Sequence, residues 1–502
     1  MIIAILIVFV VISVSVGFYF RKSSSTVTDF VLGGRAVGSW ITAFAFGTTY
    51  FSAVVFVGYA GRFGWTYGMS AIWIGIGNAG IGSLLAWLVM GRRTRVMTQH
   101  FESATMPEFF ESRYLSGPIK IISALIVFVF LIPYTASVYN GLSRIFAMIF
   151  DVPYEACVVG MALLTAVYVI IGGYKATAYN DFIQGIIMLV GICAVIGVAL
   201  SGQGGFYSAI IKMSEFSNEA GPLAGMKGAF TSLFGPDPMG LVGVIVLTSL
   251  GTWGLPQMVH KFYAIKDEKA IKTGTVISTV FAVIVAGGCY FLGGFGRAFN
   301  DNTLPAGGFD EVIPTVISAL PDVLIGIVLV LVLSASMSTL ASLVLTSSST
   351  LTLDLIRPVW KKIDEKRSLI IMRVLIGAFL LISVVVALNK NNLITDLMGY
   401  SWGALAGAFL APFLYGLFWK KATRAATYTC FFFAVGATAL HLIFKPAWVI
   451  LGLNLASPVN LGAVIMVTTL ILMPTVSLLT PKLPKSDVER IFSCYDKKGL
   501  GK

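Results

Sequence analysis

The stretch Gly47-Thr48-Thr49-Tyr50-Phe51-Ser52-Ala53 decides how this chain is read. It lies inside an apolar segment of the length that crosses a bilayer, about 20 residues, and interrupts it with a glycine, hydroxyl groups and a tyrosine. A backbone carbonyl freed in lipid finds no partner, so unwinding there is tolerated only against protein or a water-lined cavity. Broken helices at membrane depth are one way transporters expose carbonyl oxygens and helix ends to an ion and a solute. The competing reading is a patch of small residues that lets two helices pack closely. The rest of the chain weighs between them.

The chain has 502 residues, of which 57% are hydrophobic and 12% charged, with a mean hydropathy of +0.89. Soluble domains carry about twice that share of charge. Apolar runs of spanning length recur from end to end, so the chain reads as a polytopic membrane protein lying among membrane lipid, without a soluble domain large enough to hold its own core. The net charge of +12 does not point to nucleic acid, because the basic residues sit in short alternating loops and no polar segment interleaves them with aromatics. Cys157, Cys193, Cys289, Cys430 and Cys494 show no paired spacing, and His100, His260 and His441 are scattered, with His260 in a basic loop. Neither set reads as a disulfide framework or a zinc site. The first apolar run, Ile2–Phe20, lacks a basic region before it and a small-residue cleavage site after it, and reads as a retained helix.

Thirteen spans are expected, at 2–20, 39–61, 67–90, 121–149, 154–172, 180–200, 238–258, 274–295, 323–350, 369–388, 396–419, 425–443 and 459–480. Placing Arg21, Lys22 and Arg35 on the inner side puts 28 of the 35 basic residues in inner loops and the tail, Lys261 among them. That bias gives an outer N-terminus and an inner C-terminus, at the plasma membrane. Pro107, in the inner stretch Thr105-Met106-Pro107-Glu108, marks the start of a short surface helix. The long outer connections 201–237 and 296–322 have room for short helices. A second interrupted helix, Gly251-Thr252-Trp253-Gly254-Leu255-Pro256, stands where GTTYFSA stands one five-helix unit earlier. Two Gly/Pro-interrupted helices at matching places in two halves point to a binding site at the repeat interface. The expected organisation is a first helix and inner loop (1–37), a five-helix repeat (38–200), an outer loop (201–237), a second repeat (238–420), two peripheral helices (421–480) and an inner tail (481–502).

The span 323–350 ends in a run of hydroxyls from Ser336 to Thr350. Hard monovalent cations take oxygen ligands, and neutral oxygens suit an ion that must also leave. The Ala335 carbonyl and the Ser338 and Thr339 hydroxyls lie within one turn and can meet carbonyls near Thr48 and Phe51. Membrane serines and threonines also bond back to their own helix, which is the alternative here. Asp181, in Gly172-Gly173-Tyr174-Lys175-Ala176-Thr177-Ala178-Tyr179-Asn180-Asp181, is either a functional acid or a helix cap. Trp253, Tyr400 and Trp402 are candidates to wall a solute pocket, against an interface-belt role. Arg144 is expected to snorkel to the interface or to pair with Asp151 or Glu155.

Taken in order, Leu32-Gly33-Gly34-Arg35, GTTYFSA, GGYKATAYNDFIQG, GLPQ and ASMSTLASLVLTSSSTLTLDL resemble the sodium:solute symporter family over about residues 1–480. The resemblance implies an all-α, inverted-repeat fold of the leucine-transporter type and sodium-coupled uptake by alternating access. It implies a main sodium site at Thr48, Phe51, Ala335, Ser338 and Thr339. It also suggests a second sodium site at Asp181, Ser338 and Ser342, with Ala341 lacking the hydroxyl some members place there. Proline symporters carry an aspartate at the position of Tyr50 and an aromatic pair at those of Thr248 and Thr252, and these departures weigh against proline. The wording of TTYFSA, IGGYKATAYNDFIQG, GLPQ and DEVIPT is similar to the pantothenate branch, so pantothenate or a related small carboxylate is the expected solute. By position Tyr50, Ser52, Thr252 and Trp253 are the expected solute contacts.

The rival readings are a proline-like amino-acid symporter, a transporter-like sensor without net flux, a proton-coupled carrier and an intramembrane enzyme. About twenty residues follow the last span, too few for a catalytic output domain, which weighs against sensing. No paired catalytic His, Cys or acids stand at membrane depth, which weighs against an enzyme.

Overall fold

The structure, a computed structural model, describes residues 2–21, 25–218, 225–360, 363–389 and 393–496. Of the basic residues counted above, Lys22, Lys361, Lys362, Lys390, Lys497, Lys498 and Lys502 lie outside the described residues.

Among the described residues ten helices are long and apolar enough to cross a membrane, or eleven when the bent pair Pro238–Gly254 and Pro256–Ala264 is counted as one span. Two of the ten, Val54–His100 with 47 residues and Tyr154–Gly202 with 49, are about twice the length one crossing needs. Each is turned at a glycine of positive φ, Gly68 at +62° and Gly173 at +58°, a conformation that strains residues bearing a Cβ. Helix Ser39–Tyr50, too short to cross alone, continues after a break into 54–67. Divided at these points, the chain shows the segments that the hydropathy pattern counts as thirteen.

Two helices form the centre. The most apolar stretches of Asp322–Val359 and Ile394–Phe418 are each 83% buried, against 17% for Ile2–Phe20. A central helix must present small or hydroxylated residues wherever neighbours come close, and Asp322–Thr350 does so through its buried serines and threonines. Elsewhere backbones touch: a Cβ on Gly64 would lie 2.0 Å from the Gly293 carbonyl oxygen.

The inner side is knitted by backbone-directed cations. Arg35 donates to the carbonyls of Ser103 (2.6 Å) and Tyr263 (3.3 Å). Val37 forms a parallel bridge with Ile265, so the entry to the first broken helix is tied to the exit of the second. Helix Met106–Tyr114 begins as its proline suggests, with the Thr105 side chain accepting from Glu108 N at 3.2 Å. It is not a surface helix, however. Phe109 and Phe110 pack on Phe413 and Phe409 with ring centroids 4.7 and 5.4 Å apart. Buried Arg113 donates to the Gly416 and Trp419 carbonyls at 2.7 and 2.8 Å, satisfying acceptors that the end of Ile394–Phe418 leaves without helical donors. The outer connections hold the helices Phe206–Glu215, Gly296–Phe299 and Val312–Ser318. Arg144 pairs there with Asp310 at 3.6 Å, a partner not among those expected.

Candidate ion and solute site

Helix Ser39–Tyr50 breaks without a proline. Phe51 N still bonds the Gly47 carbonyl at 3.0 Å, and Phe51 then leaves helical geometry at φ −104°, ψ 86°. Ser52 restarts the helix: its hydroxyl accepts from Val54 N at 3.2 Å, and its carbonyl from Val55 N and Phe56 N at 3.0 and 3.1 Å. The restart, Val54–Tyr59, is π-helical, a geometry frequent at functional sites.

The break leaves Thr48 O and Thr49 O facing the helix Asp322–Thr350. The Thr339 hydroxyl lies 3.3 and 3.2 Å from them and 3.1 Å from the Ala335 carbonyl. Ser338 donates to the Thr48 hydroxyl at 2.8 Å, which donates in turn to the Phe44 carbonyl at 2.9 Å. Thr49 and Ser342 share a hydroxyl bond of 2.9 Å. Of the residues expected at the main ion site, Thr48, Ala335, Ser338 and Thr339 are thus joined in one cluster, and Phe51 stands at the break itself. Thr49 is an addition that the sequence reading lacked. The cluster is buried and built from neutral oxygens, the donor type that suits a hard monovalent cation.

Asp181 is not a helix cap, because its helix turns at Gly173, two turns earlier. It is buried, and the Lys261 ammonium lies 3.6 Å from its Oδ2 and 2.9 Å from the Ser342 hydroxyl. This corrects the assignment of Lys261 and His260 to an inner loop: both are buried in the helix Pro256–Ala264, which resumes after the second break. Proline at a first helical position favours such a restart, and that signal in Leu255-Pro256 was there to be read.

The second break is a bend of 45° between Pro238–Gly254 and Pro256–Ala264. Before it, Tyr50 donates to the Thr248 carbonyl at 2.6 Å. The Thr252 hydroxyl lies 3.0 Å from the carbonyls of Gly82 and Ser249, and Trp253 Nε1 donates to Ile81 O at 3.0 Å. Tyr50, Thr252 and Trp253 therefore converge on the 81–82 turn of a third element, whereas Ser52 stays at the first break. A Cβ on Gly82 would lie 2.4 Å from the Tyr50 hydroxyl oxygen. Trp402 lies beside Tyr50, centroids 6.2 Å apart, with Tyr134 edge-on to it at 5.8 Å. Tyr400 is not part of this wall, since its hydroxyl bonds His441 Nδ1 at 3.0 Å. Tyr134 and the buried amides of Gln184 and Gln257, whose side-chain atoms have no hydrogen-bond partner among the described residues, were not anticipated.

The sodium:solute symporter family profile matches residues 30–430. The osmoregulated proline transporter OpuE of Bacillus subtilis is 30% identical over 417 residues, 81% of this chain and 81% of that protein. A sodium/proline symporter of Staphylococcus aureus is 30% identical over 460 residues, 88% of this chain and 85% of its own length. Among solved structures, a Na+-coupled sialic acid symporter superposes with a TM-score of 0.78 at 16% identity, covering 96% of this chain and 98% of that one. Mhp1, a nucleobase-cation-symport-1 family transporter, superposes at 0.51 with 13% identity, over 92% and 97% of the two chains. The inverted-repeat architecture of the leucine-transporter type is shared with both structures. Sodium in this setting is cargo rather than cofactor, and the protein is a transporter rather than an enzyme. The broken helices, the hydroxyl helix and these likenesses agree: this multi-pass plasma-membrane protein belongs to the sodium:solute symporter family and is a sodium-coupled solute symporter.

Proposed function

We propose that the chain imports a small amino acid of the proline class, driven by sodium held at Thr48, Phe51, Ala335, Ser338 and Thr339. One observation carries the ion assignment: the Ser338 and Thr339 hydroxyls reach Thr48 and Thr49 across the first break, at 2.8 to 3.3 Å. Sodium arriving from the outer side would take over these oxygens and tie the first broken helix to the hydroxyl helix. The ion shifts the balance of outward and inward forms only by its differential affinity for them. Tying the break to its partner helix is a contact that can differ between those forms. Tyr50, Ser52, Thr252 and Trp253, with Trp402 and Tyr134 beside them, are the proposed solute contacts.

The proline class follows the names of the curated relatives. A second reading, a small carboxylate such as pantothenate, is favoured by the neutral hydrogen-bond partners of Tyr50, Thr252 and Trp253, which offer no acid to a solute ammonium. Uptake of radiolabelled L-proline and pantothenate into proteoliposomes, under an imposed sodium or proton gradient, tests both. The proposal expects sodium-driven L-proline uptake. Pantothenate uptake alone would select the second reading, and uptake that follows only the proton gradient would overturn the ion assignment.

A further inference from the structure

We propose that the Lys261 ammonium permanently fills the place of a second coupling cation, so that one sodium ion, not two, drives each cycle. The inference deepens the proposed function and rests on its sodium reading. The three residues that the family pattern offers to a second ion are Asp181, Ser338 and Ser342. The structure brings a cation to this group from within the chain: Lys261 Nζ is 2.9 Å from Ser342 Oγ and 3.6 Å from Asp181 Oδ2. Both charged side chains are almost fully enclosed, 2% exposed for Lys261 and 1% for Asp181. The ring of Tyr174 lies 5.4 Å from the ammonium and adds a favourable face for positive charge.

Two further observations bear on the assignment. Among the described residues the one ion pair of Asp181 is with Lys261, so the ammonium compensates its buried charge. Ala341 stands where the resemblance to the family places a further hydroxyl, and its methyl group offers an ion no oxygen. A buried carboxylate needs a counter-charge, because desolvation is costly to an unpaired ion. A lysine on a fixed stem supplies that charge without leaving the protein. Lys261, Asp181 and Ser342 join three elements: the helix resumed after the second break, the helix Tyr154–Gly202 and the hydroxyl helix.

Removing the ammonium while keeping the carboxylate converts the place into a sodium site. Equilibrium binding of 22Na+ to the purified full-length protein, counted per chain, reads this out. The wild type is expected to bind about one ion and Lys261→Met about two. Lys261→Met combined with Asp181→Asn is expected to return to about one, with both charges removed together. A wild-type count of two, a Lys261→Met count equal to the wild type, or an extra ion that persists in the double variant would overturn the assignment. The main sodium site is judged by the wild-type count, and Lys261 by the difference between chains, so the two readings fail separately. Should Lys261→Met not survive purification, the wild type decides by the sodium dependence of its uptake: a Hill coefficient near 1 is expected and one near 2 overturns the proposal.

Discussion

The two broken helices meet on the same hydroxyl helix, both touching Ser342, but with opposite chemistry. The first break, at Phe51-Ser52, has no proline and presents backbone carbonyls and hydroxyls to Ser338 and Thr339. The second, at Leu255-Pro256, removes a backbone donor outright and sends a charged lysine to Ser342 and Asp181. Neutral oxygens hold an ion weakly enough for release. A buried ion pair is a fixed joint, because separating its members strands a charge away from water. On the proposed ion assignment, exchange belongs to the first break and anchorage to the second.

The largest effect is expected at the anchor. Asp181→Asn strands the Lys261 ammonium and should cost about 3–5 kcal/mol of stability, read as a lowered unfolding temperature that Asp181→Asn/Lys261→Met largely restores. An unchanged unfolding temperature in the single variant would remove the contrast between the breaks. Next comes Gly82→Ala, whose new methyl meets the Tyr50 hydroxyl. Overpacking of this kind costs about 1–3 kcal/mol, so solute KM should rise about tenfold while the sodium dependence stays near the parental one. A matched rise in both constants would show that ion and solute contacts are not separable there. Ser338→Ala should raise the half-saturating sodium concentration about tenfold, corresponding to about 1.4 kcal/mol. The smallest change is Ser52→Ala, which removes the cap on Val54 N and should cost about 1 kcal/mol. Its unfolding temperature should fall by a few degrees or less, and a collapse of the protein would mean that the break depends on this one hydroxyl.

The first break and its partner helix were legible because they violate a local pattern: polar groups in GTTYFSA and in 336–350 interrupt apolar runs, and lipid tolerates such interruptions only for a reason. Four of the five expected ion-site residues accordingly share one hydrogen-bonded cluster. Lys261 was misplaced by the same local reasoning. A lysine just past an apolar run counts as loop charge under the positive-inside rule, and its burial depends on Asp181 and Ser342, both distant in sequence. Asp310, the partner of Arg144, was missed for the same cause, since it lies on a remote outer connection. Tyr400 and Trp402 are two residues apart and looked equivalent, yet helical geometry turns one to His441 and the other to Tyr50. The wording of short motifs leaned towards pantothenate, while similarity over most of the chain runs to proline transporters.

Whether sodium joins the first break to the hydroxyl helix is tested by thermal unfolding of the purified protein, without any knowledge of the solute. Replacing potassium chloride by sodium chloride at equal ionic strength should raise the unfolding temperature of the wild type, since a ligand bound only by the folded state stabilises it. The same exchange should leave Ser338→Ala/Thr339→Ala unmoved. An equal sodium-specific rise in both proteins would contradict the account.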